Sequence, residues 1–283
     1  LETIKELIDL LTLEPIDENI YRGGNYKTPW GRVFGGQVLG QALHAAYQTV
    51  PEDRICHSMH GYFILAGDVN TPINYEVDTI RDGGSFTTRR VVAKQHGRAI
   101  FNMAASFQLK QEGFDHQINM PNVLPPDSLL SDIEQLEDIR ESHPSLYSRM
   151  TVMHPNALEF RPVEKFYPNK VGKPYRHVWL KSKEQFEVSL PMQHQIMAYA
   201  SDYNLLTTSI QPHQNIALRE KMFFASLDHA MWFHRDFKMD DWLLYATDSP
   251  SASNARGFSR GSIFDQEGRL VASVVQEGLM RQK

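Results

Sequence analysis

The chain nearly repeats itself. Phe86-Thr87-Thr88-Arg89-Arg90-Val91-Val92 runs through Lys94-Gln95-His96-Gly97-Arg98 into the stretch 99–108. Phe258-Ser259-Arg260-Gly261-Ser262-Ile263-Phe264 runs in the same way through Asp265-Gln266-Glu267-Gly268-Arg269 into 270–277. At a single offset of 171 positions Arg89 meets Arg260, Gln95 meets Gln266, Gly97 meets Gly268 and Arg98 meets Arg269. A segment used twice predicts two copies of one folding unit, and 283 residues are enough for two units fused into one body. The two copies need not carry the same chemistry.

The pattern around the repeat fills in each unit. Apolar residues at Ile4, Leu7, Ile8, Leu10, Leu11 and Leu13 have helical spacing and predict an amphipathic helix over 2–13, stopped before Pro15. A second helix is expected over 35–47, opened by Gly35-Gly36 and rich in small residues (Gly40, Ala42, Ala45, Ala46) that would let a sheet approach its backbone. Strand-like runs follow at 55–65, 73–81, 86–94 and 99–108. In the last, Phe101, Met103, Ala105 and Phe107 alternate with Asn102, Ala104, Ser106 and Gln108, the period of a strand with one face on a core. Asp82-Gly83-Gly84 and Gln95-His96-Gly97 supply turns so short that the strands they join must be antiparallel.

Prolines at 121, 125, 126, 144 and 155 and the acidic run Asp132-Ile133-Glu134-Gln135-Leu136-Glu137-Asp138 mark 116–155 as a linker with one short helix of its own. The order then restarts: strands at 158–163 and 177–181, a helix over 192–206, and strands at 222–232, 242–249, 258–265 and 270–280. The expected units are 1–115 and 156–283. This is an α+β pattern in which each half sets one long helix against an antiparallel sheet.

A helix gripped by such a sheet, duplicated in tandem, resembles the double hotdog architecture. The strings Val33-Phe34-Gly35-Gly36-Gln37-Val38, Tyr199-Ala200-Ser201-Asp202, Asp228-His229-Ala230-Met231-Trp232-Phe233-His234 and Val274-Val275-Gln276-Glu277-Gly278 are similar to those of the acyl-CoA thioesterase II family. The resemblance runs from about residue 7 to 281. It implies hydrolysis of acyl-CoA thioesters to fatty acid and coenzyme A, without a cofactor, by a water held between an aspartate, a hydroxyl and a glutamine. By the same resemblance these roles fall on Asp202, Ser226 and Gln276, with serine standing where many relatives carry threonine. Phe34, Gly35 and Gly36 are expected to line part of the acyl tunnel.

The chemistry is sensible on its own terms. A half-buried carboxylate can take a proton from water, a hydroxyl can both accept and donate, and an amide can orient water or support an oxyanion without competing for the proton. Gln276 follows the largely apolar run 270–275. A buried glutamine without partners costs about 1 to 3 kcal/mol, so physics alone draws attention to it. At the repeat offset Gln276 corresponds to Ala105, and a match of the two helices sets Asp202 opposite His44. One active site per chain, drawn from the second unit, is therefore expected.

Coenzyme A needs cations for its phosphates. Arg89 and Arg260 are the candidates carried furthest, from a group that also includes Arg81, Arg90, Lys94, Arg98 and Arg256. The recurrence of Arg89 and Arg260 at the repeat offset also fits a shared structural ion pair. Asp228 and His229, adjacent in a strand, should point to opposite faces and so not form a dyad. A structural role for His229 is favoured over a place in the site wall. His57 with His60, and His194 with His213, lack the further ligands of a zinc site, so no metal is expected. Cys56 is read as a small buried hydrophobe in a reducing compartment.

A serine hydrolase is set aside on the expectation that the chain carries no Gly-x-Ser-x-Gly elbow. A hotdog hydratase would set aspartate and histidine five apart on the active helix, but Thr207 stands five beyond Asp202. The spacing occurs as Asp138 and His143, inside the linker. The non-enzymatic alternative is an acyl-CoA sensing module. A net charge of −5 opposes general nucleic-acid binding, and no apolar run is long enough to span a membrane. The N-terminal stretch shows no cleavage signal, the missing initiator Met reads as trimming, and Arg281-Gln282-Lys283 is no peroxisomal address. The expectation is a cytoplasmic homodimer or homotetramer.

Overall fold

The structure, a computed structural model, describes residues 1–152, 154, 157–168, 170–217 and 222–282. The expected boundary at 155–156 lies outside the described residues. In chain order, helix α1 (Ile4–Leu11) precedes strands β1 (Glu14–Asp17) and β2 (Ile20–Gly23), helix α2 (Gly35–Tyr47), and strands β3 (Arg54–Phe63), β4 (Ile73–Asp82), β5 (Phe86–Gln95) and β6 (Arg98–Leu109). Among the described residues the linker holds two α-helices where one short helix was expected, α3 (Asp132–Leu136) and α4 (Pro144–Val152). Strands β7 (Leu158–Pro162) and β8 (Tyr175–Ser182) lead to helices α5 (Leu190–Ser201), α6 (Leu205–Ile210) and α7 (Gln214–Ala217). Strands β9 (Met222–Ser226), β10 (Asp228–Phe233), β11 (Leu243–Ser253), β12 (Arg256–Asp265) and β13 (Leu270–Gln282) finish the chain.

The strands form one sheet in the order β1-β2-β4-β5-β6-β3-β10-β13-β12-β11-β8-β7, with β9 pairing on β13, and every described pairing is antiparallel. Read outward from the central β3–β10 pair, both halves follow one plan: β3, β6, β5, β4, β2, β1 on one side and β10, β13, β12, β11, β8, β7 on the other. The β1–β2 hairpin, which the sequence pattern did not reveal, is therefore the first-half counterpart of β7–β8.

The halves are out of register by 170 before the repeat's turn and by 171 after it. Gln95 and Arg98 close a two-residue turn through His96 (φ 49°) and Gly97 (φ 73°), the left-handed pair of a type I′ hairpin. In the second half Gly268 (φ 81°) donates to the Asp265 carbonyl and Asp265 to the Arg269 carbonyl, so this turn holds one residue more. The counterpart of Arg89 is thus Ser259, and that of Gln95 is Asp265. The shared ion pair belongs to Arg90 with Asp78 (2.7 Å) and Arg260 with Asp248 (2.5 Å), both spaced by 170.

Helices α2 and α5 lie against each other inside the sheet, buried along almost their whole lengths. A helix buried on all sides has no polar face to show, which explains why α2 lacks an amphipathic pattern. The small residues Gly36 and Gly40 admit the partner helix, not the sheet: a Cβ on Gly36 would stand 2.3 Å from the Tyr199 carbonyl, and one on Gly40 would stand 3.0 Å from the Gln195 carbonyl. The helix expected over 192–206 is cut after Ser201, where Asn204 takes a left-handed conformation (φ 69°). The strand expected over 222–232 is likewise broken at Leu227.

Candidate active site

The two breaks build the site. Ending α5 at Ser201 leaves Asp202 as its C-terminal cap, close to the start of α2. The backbone N–H of Gly36 donates to Asp202 Oδ2 at 2.9 Å. Only glycines allow this approach: a Cβ on Gly35 would lie 2.7 Å from Asp202 Oδ2, and Gly36 is held against the Tyr199 carbonyl as described. Phe34 precedes the pair and packs edge-on against Tyr199 (5.2 Å between centroids) and against Tyr203 (4.4 Å), an aromatic wall beside the carboxylate.

Ser226, at the end of β9, donates from Oγ to Asp202 Oδ1 at 3.3 Å. Gln276, on β13, donates from Nε2 to Ser226 Oγ at 3.0 Å. The three residues expected to share a site, 74 positions apart at the extremes, therefore stand in one hydrogen-bonded row. Asp202 and Ser226 keep partial exposure, whereas Gln276 is 1% exposed. Burial raises the Asp202 carboxyl above its ordinary value; the His229 ring, so far as it is protonated, and the hydrogen bonds from Gly36, Ser226 and Gln276 oppose the rise without cancelling it. A carboxylate with a raised pKa is a better proton acceptor than a free one.

The structure buries His229 with a partner on each ring nitrogen, as a structural histidine requires, and one of those partners is Gln276. Asp228 and His229 do part ways as strand alternation requires: Asp228 accepts from the Glu277 backbone N–H (2.6 Å), while His229 is 0% exposed with Nδ1 2.7 Å from Gln276 Oε1 and Nε2 2.9 Å from Ser201 Oγ. The strand break at Leu227 brings Ser226 and His229, three positions apart, to bear on the same glutamine. In an unbroken strand they would face opposite sides.

Other expected residues fall elsewhere. Arg89 is corrected: it is 2% exposed, with its guanidinium spent on the Thr49, Arg81 and Thr88 carbonyls, Thr49 Oγ1 and Asp82, so it holds strand ends and offers nothing to a phosphate. Arg260 pairs with Asp248 on the face of β12 opposite buried Ser259, away from the Asp202 carboxylate. The other strand arginine of this pattern, Arg90, is paired with Asp78. His44, set opposite Asp202 by the sequence match, is buried inside α2 and bonds Gln195 Oε1 at 3.1 Å. Cys56 is buried, and burial pushes its thiol up, away from nucleophilic character. Among the described residues no group of three His, Cys, Asp or Glu side chains could hold a metal ion.

The expectation about Gly-x-Ser-x-Gly also needs correction, because Gly257-Phe258-Ser259-Arg260-Gly261 spells that string. It is not an elbow. Ser259 lies inside β12, opposite Gln276 in register, and its buried hydroxyl makes no hydrogen bond among the described residues. Without a strand-to-helix turn or a histidine on the hydroxyl, the string has no nucleophile to offer.

On the face of the sheet that carries Ser226 and Gln276, a cavity of about 270 Å³ opens further along the same strands. Phe224 and Met222 alternate with Ser226 on β9, Met280 follows Gln276 on β13, and Ile210, Ile216 and Ala217 close it from the helices. No described helix is long and apolar enough to cross a membrane.

The chain is similar to known proteins over nearly its whole length. Residues 26–108 match the acyl-CoA thioesterase N-terminal domain family and residues 151–279 match the acyl-CoA thioesterase family. The chain is 37% identical over 281 residues to acyl-CoA thioesterase 2 of Haemophilus influenzae, covering 99% of this chain and 98% of the relative. Among solved structures, an acyl-CoA thioesterase II from Mycobacterium marinum superposes with a TM-score of 0.81 at 40% identity, covering 97% of this chain and 98% of its own. A hotdog-fold protein of unknown function from Alicyclobacillus acidocaldarius superposes with a TM-score of 0.80 at 17% identity over 98% of each chain, a likeness of fold alone.

Proposed function

The chain belongs to the acyl-CoA thioesterase family, and from that premise we propose that it hydrolyses acyl-CoA thioesters at the Asp202–Ser226–Gln276 row. The observation that carries the reading is the direction of the hydrogen bonds. The Asp202 carboxylate can only accept, and Gly36 and Ser226 occupy one lone pair on each of its oxygens. With the Gln276 amide also leaning on the carboxylate, the lone pair that remains takes a proton from a water resting beside Ser226. That water's oxygen attacks the thioester carbonyl carbon as its proton passes to Asp202. The second N–H of the Gln276 amide steadies the water or the developing oxyanion. As the tetrahedral intermediate collapses, the C–S bond breaks and Asp202 returns the proton to the coenzyme A thiolate, leaving free acid and free thiol. No covalent intermediate is required.

The apolar cavity bounded by Ile210, Ile216, Met222, Phe224 and Met280 is suited to the acyl tail, with the aromatic wall of Phe34, Tyr199 and Tyr203 bordering the reacting end. The halves 1–115 and 156–283 are read as tandem hotdog units joined by 116–155, with catalysis in the second only, since Gln276 has Ala105 as its first-half counterpart. The working form is a cytoplasmic homodimer or homotetramer.

The test is release of free thiol from palmitoyl-CoA by the purified chain. Thiol release with loss in Asp202→Asn supports the reading. Binding without turnover would favour an acyl-CoA sensor, and water addition to an enoyl-CoA without thiol release would favour a hydratase. Asp202→Asn removes the base while keeping its shape, and should lower kcat about 10²- to 10⁴-fold.

A further inference from the structure

We propose that His229 is a positioning residue for this hydrolysis: its Nδ1–H fixes the Gln276 amide in the one orientation that offers a donor to Ser226. The inference rests on the proposed function. Donor logic runs in one direction from the acid. Asp202 can only accept, so the Ser226 hydroxyl donates to it; the Ser226 oxygen must then accept, so Gln276 must present Nε2. Gln276 Oε1 therefore faces His229 at 2.7 Å, and because an amide oxygen only accepts, Nδ1 carries the proton. Burial lowers the His229 pKa and so favours the neutral ring, whose Nε2 faces the Ser201 hydroxyl at 2.9 Å; that hydroxyl's one proton is shared between Nε2 and the Ala198 carbonyl, also at 2.9 Å.

Without His229 nothing on this side distinguishes the amide's two ends. A flipped amide would put Oε1 against Ser226, and the serine would turn its proton toward Gln276 and away from Asp202. Carboxylate and water would both lose their alignment. The chain contains its own control. His229 and Gln276 lie one step beyond the Ala230–Val275 pair of adjacent strands β10 and β13, with their side chains 2.7 Å apart, and their first-half counterparts, Met59 and Ala105, are paired in register. Both are buried and apolar. The histidine thus occurs in the half that has the glutamine, and both are replaced together in the half that has neither.

The experiment compares His229→Met, which installs the side chain the first half tolerates at this place, with His229→Asn, whose amide N–H can stand where Nδ1–H stands. His229→Met should lower kcat for palmitoyl-CoA about 10- to 100-fold, the size seen when a partner that orients a functional ligand from behind is lost, with KM within about twofold. His229→Asn should recover most of the loss. In a Gln276→Ala background His229→Met should cost nothing further, because the histidine acts through the glutamine. If His229→Met does not fold, His229→Gln serves in its place: its amide reaches the Nε2 position, so it should remain impaired while Asn is active. Full activity of His229→Met beside an inactive Asp202→Asn would overturn this inference and leave the proposed function standing. An undiminished penalty in the Gln276→Ala background, or Asn no better than Met or Gln, would overturn it too. An active Asp202→Asn would instead overturn the function on which it rests.

Discussion

Replacing Gly35 and Gly36 one at a time by alanine should separate fold from chemistry at neighbouring positions. A Cβ on Gly36 would stand 2.3 Å from the Tyr199 carbonyl oxygen, and that backbone cannot move without the helix. Carbon and carbonyl oxygen approach to about 3.3 Å, so α2 and α5 would have to part by roughly 1 Å. The 2.9 Å bond from Gly36 N–H to Asp202 would then stretch beyond hydrogen-bonding range. Overpacking of this kind costs about 1 to 3 kcal/mol and the lost bond to a carboxylate about 1.5 to 3, offset by up to about 1 kcal/mol of alanine's helix preference. The net is about 1.5 to 6 kcal/mol, and at about 2 to 4 °C per kcal/mol for a chain of this size Gly36→Ala should lower Tm by roughly 3 to 24 °C. A Cβ on Gly35 meets side chains instead, Asp202 Oδ2 at 2.7 Å and Phe63 Cζ at 3.1 Å. These can shift by about half an ångström, so Tm should change by only a few degrees while kcat falls about 10- to 100-fold through a misplaced base. Thermal unfolding and thiol release, measured on both variants, check the pair. A Gly36→Ala protein that melts like wild type, or a Gly35→Ala protein that keeps full kcat, would refute the reasoning.

Three further outcomes follow from the same site. Ser226→Thr keeps the hydroxyl and should retain activity within a few-fold, whereas Ser226→Ala should lose about 10²- to 10³-fold in kcat; equal activity of the three proteins would remove the hydroxyl from the mechanism. The raised Asp202 pKa places the acid limb of kcat/KM above the ordinary carboxylate range near 4. The same shift means that ionised Asp202 lowers stability: the stabilising contribution of the protonated carboxyl is present in full below the unfolded-state pKa and is lost as pH rises through the higher folded-state value. Asp202→Asn should therefore raise Tm at neutral pH and lose that advantage in acid, measured by melting across pH. Ile210→Trp should fill the apolar cavity and lower kcat/KM for palmitoyl-CoA by about tenfold or more while sparing a short acyl-CoA; equal losses for both chain lengths would place the tail elsewhere.

The fold was legible where one local signal dominated. The second helix stands at Gly35–Tyr47 as its glycine start and following proline required, and the strands around the repeat lie within a residue or two of their alternating patterns. The register of the repeat was less legible, because a two-residue and a three-residue turn leave nearly the same glycine signature, and one extra residue moves Arg89 from Arg260 to Ser259 as its counterpart. The breaks at 202–204 and Leu227 were hidden for a different reason. Apolar residues continue through both, and the chain is interrupted by tertiary packing: α5 must stop where α2 begins, and β9 and β10 share β13 as a partner. Those interruptions place Asp202, Ser226 and His229. The three residue types were therefore visible through the family's strings, but the histidine's contact with Gln276 depended on a strand break that periodicity does not report.

The central claim is that a water molecule, not a protein side chain, attacks the thioester. A single turnover of palmitoyl-CoA with excess enzyme in oxygen-18 water, followed by mass analysis of acid and protein, tests it most directly. The account predicts one heavy oxygen in the released palmitate and none in the protein. Heavy oxygen in the peptide carrying Asp202, or palmitate bound to the chain during the turnover, would contradict it.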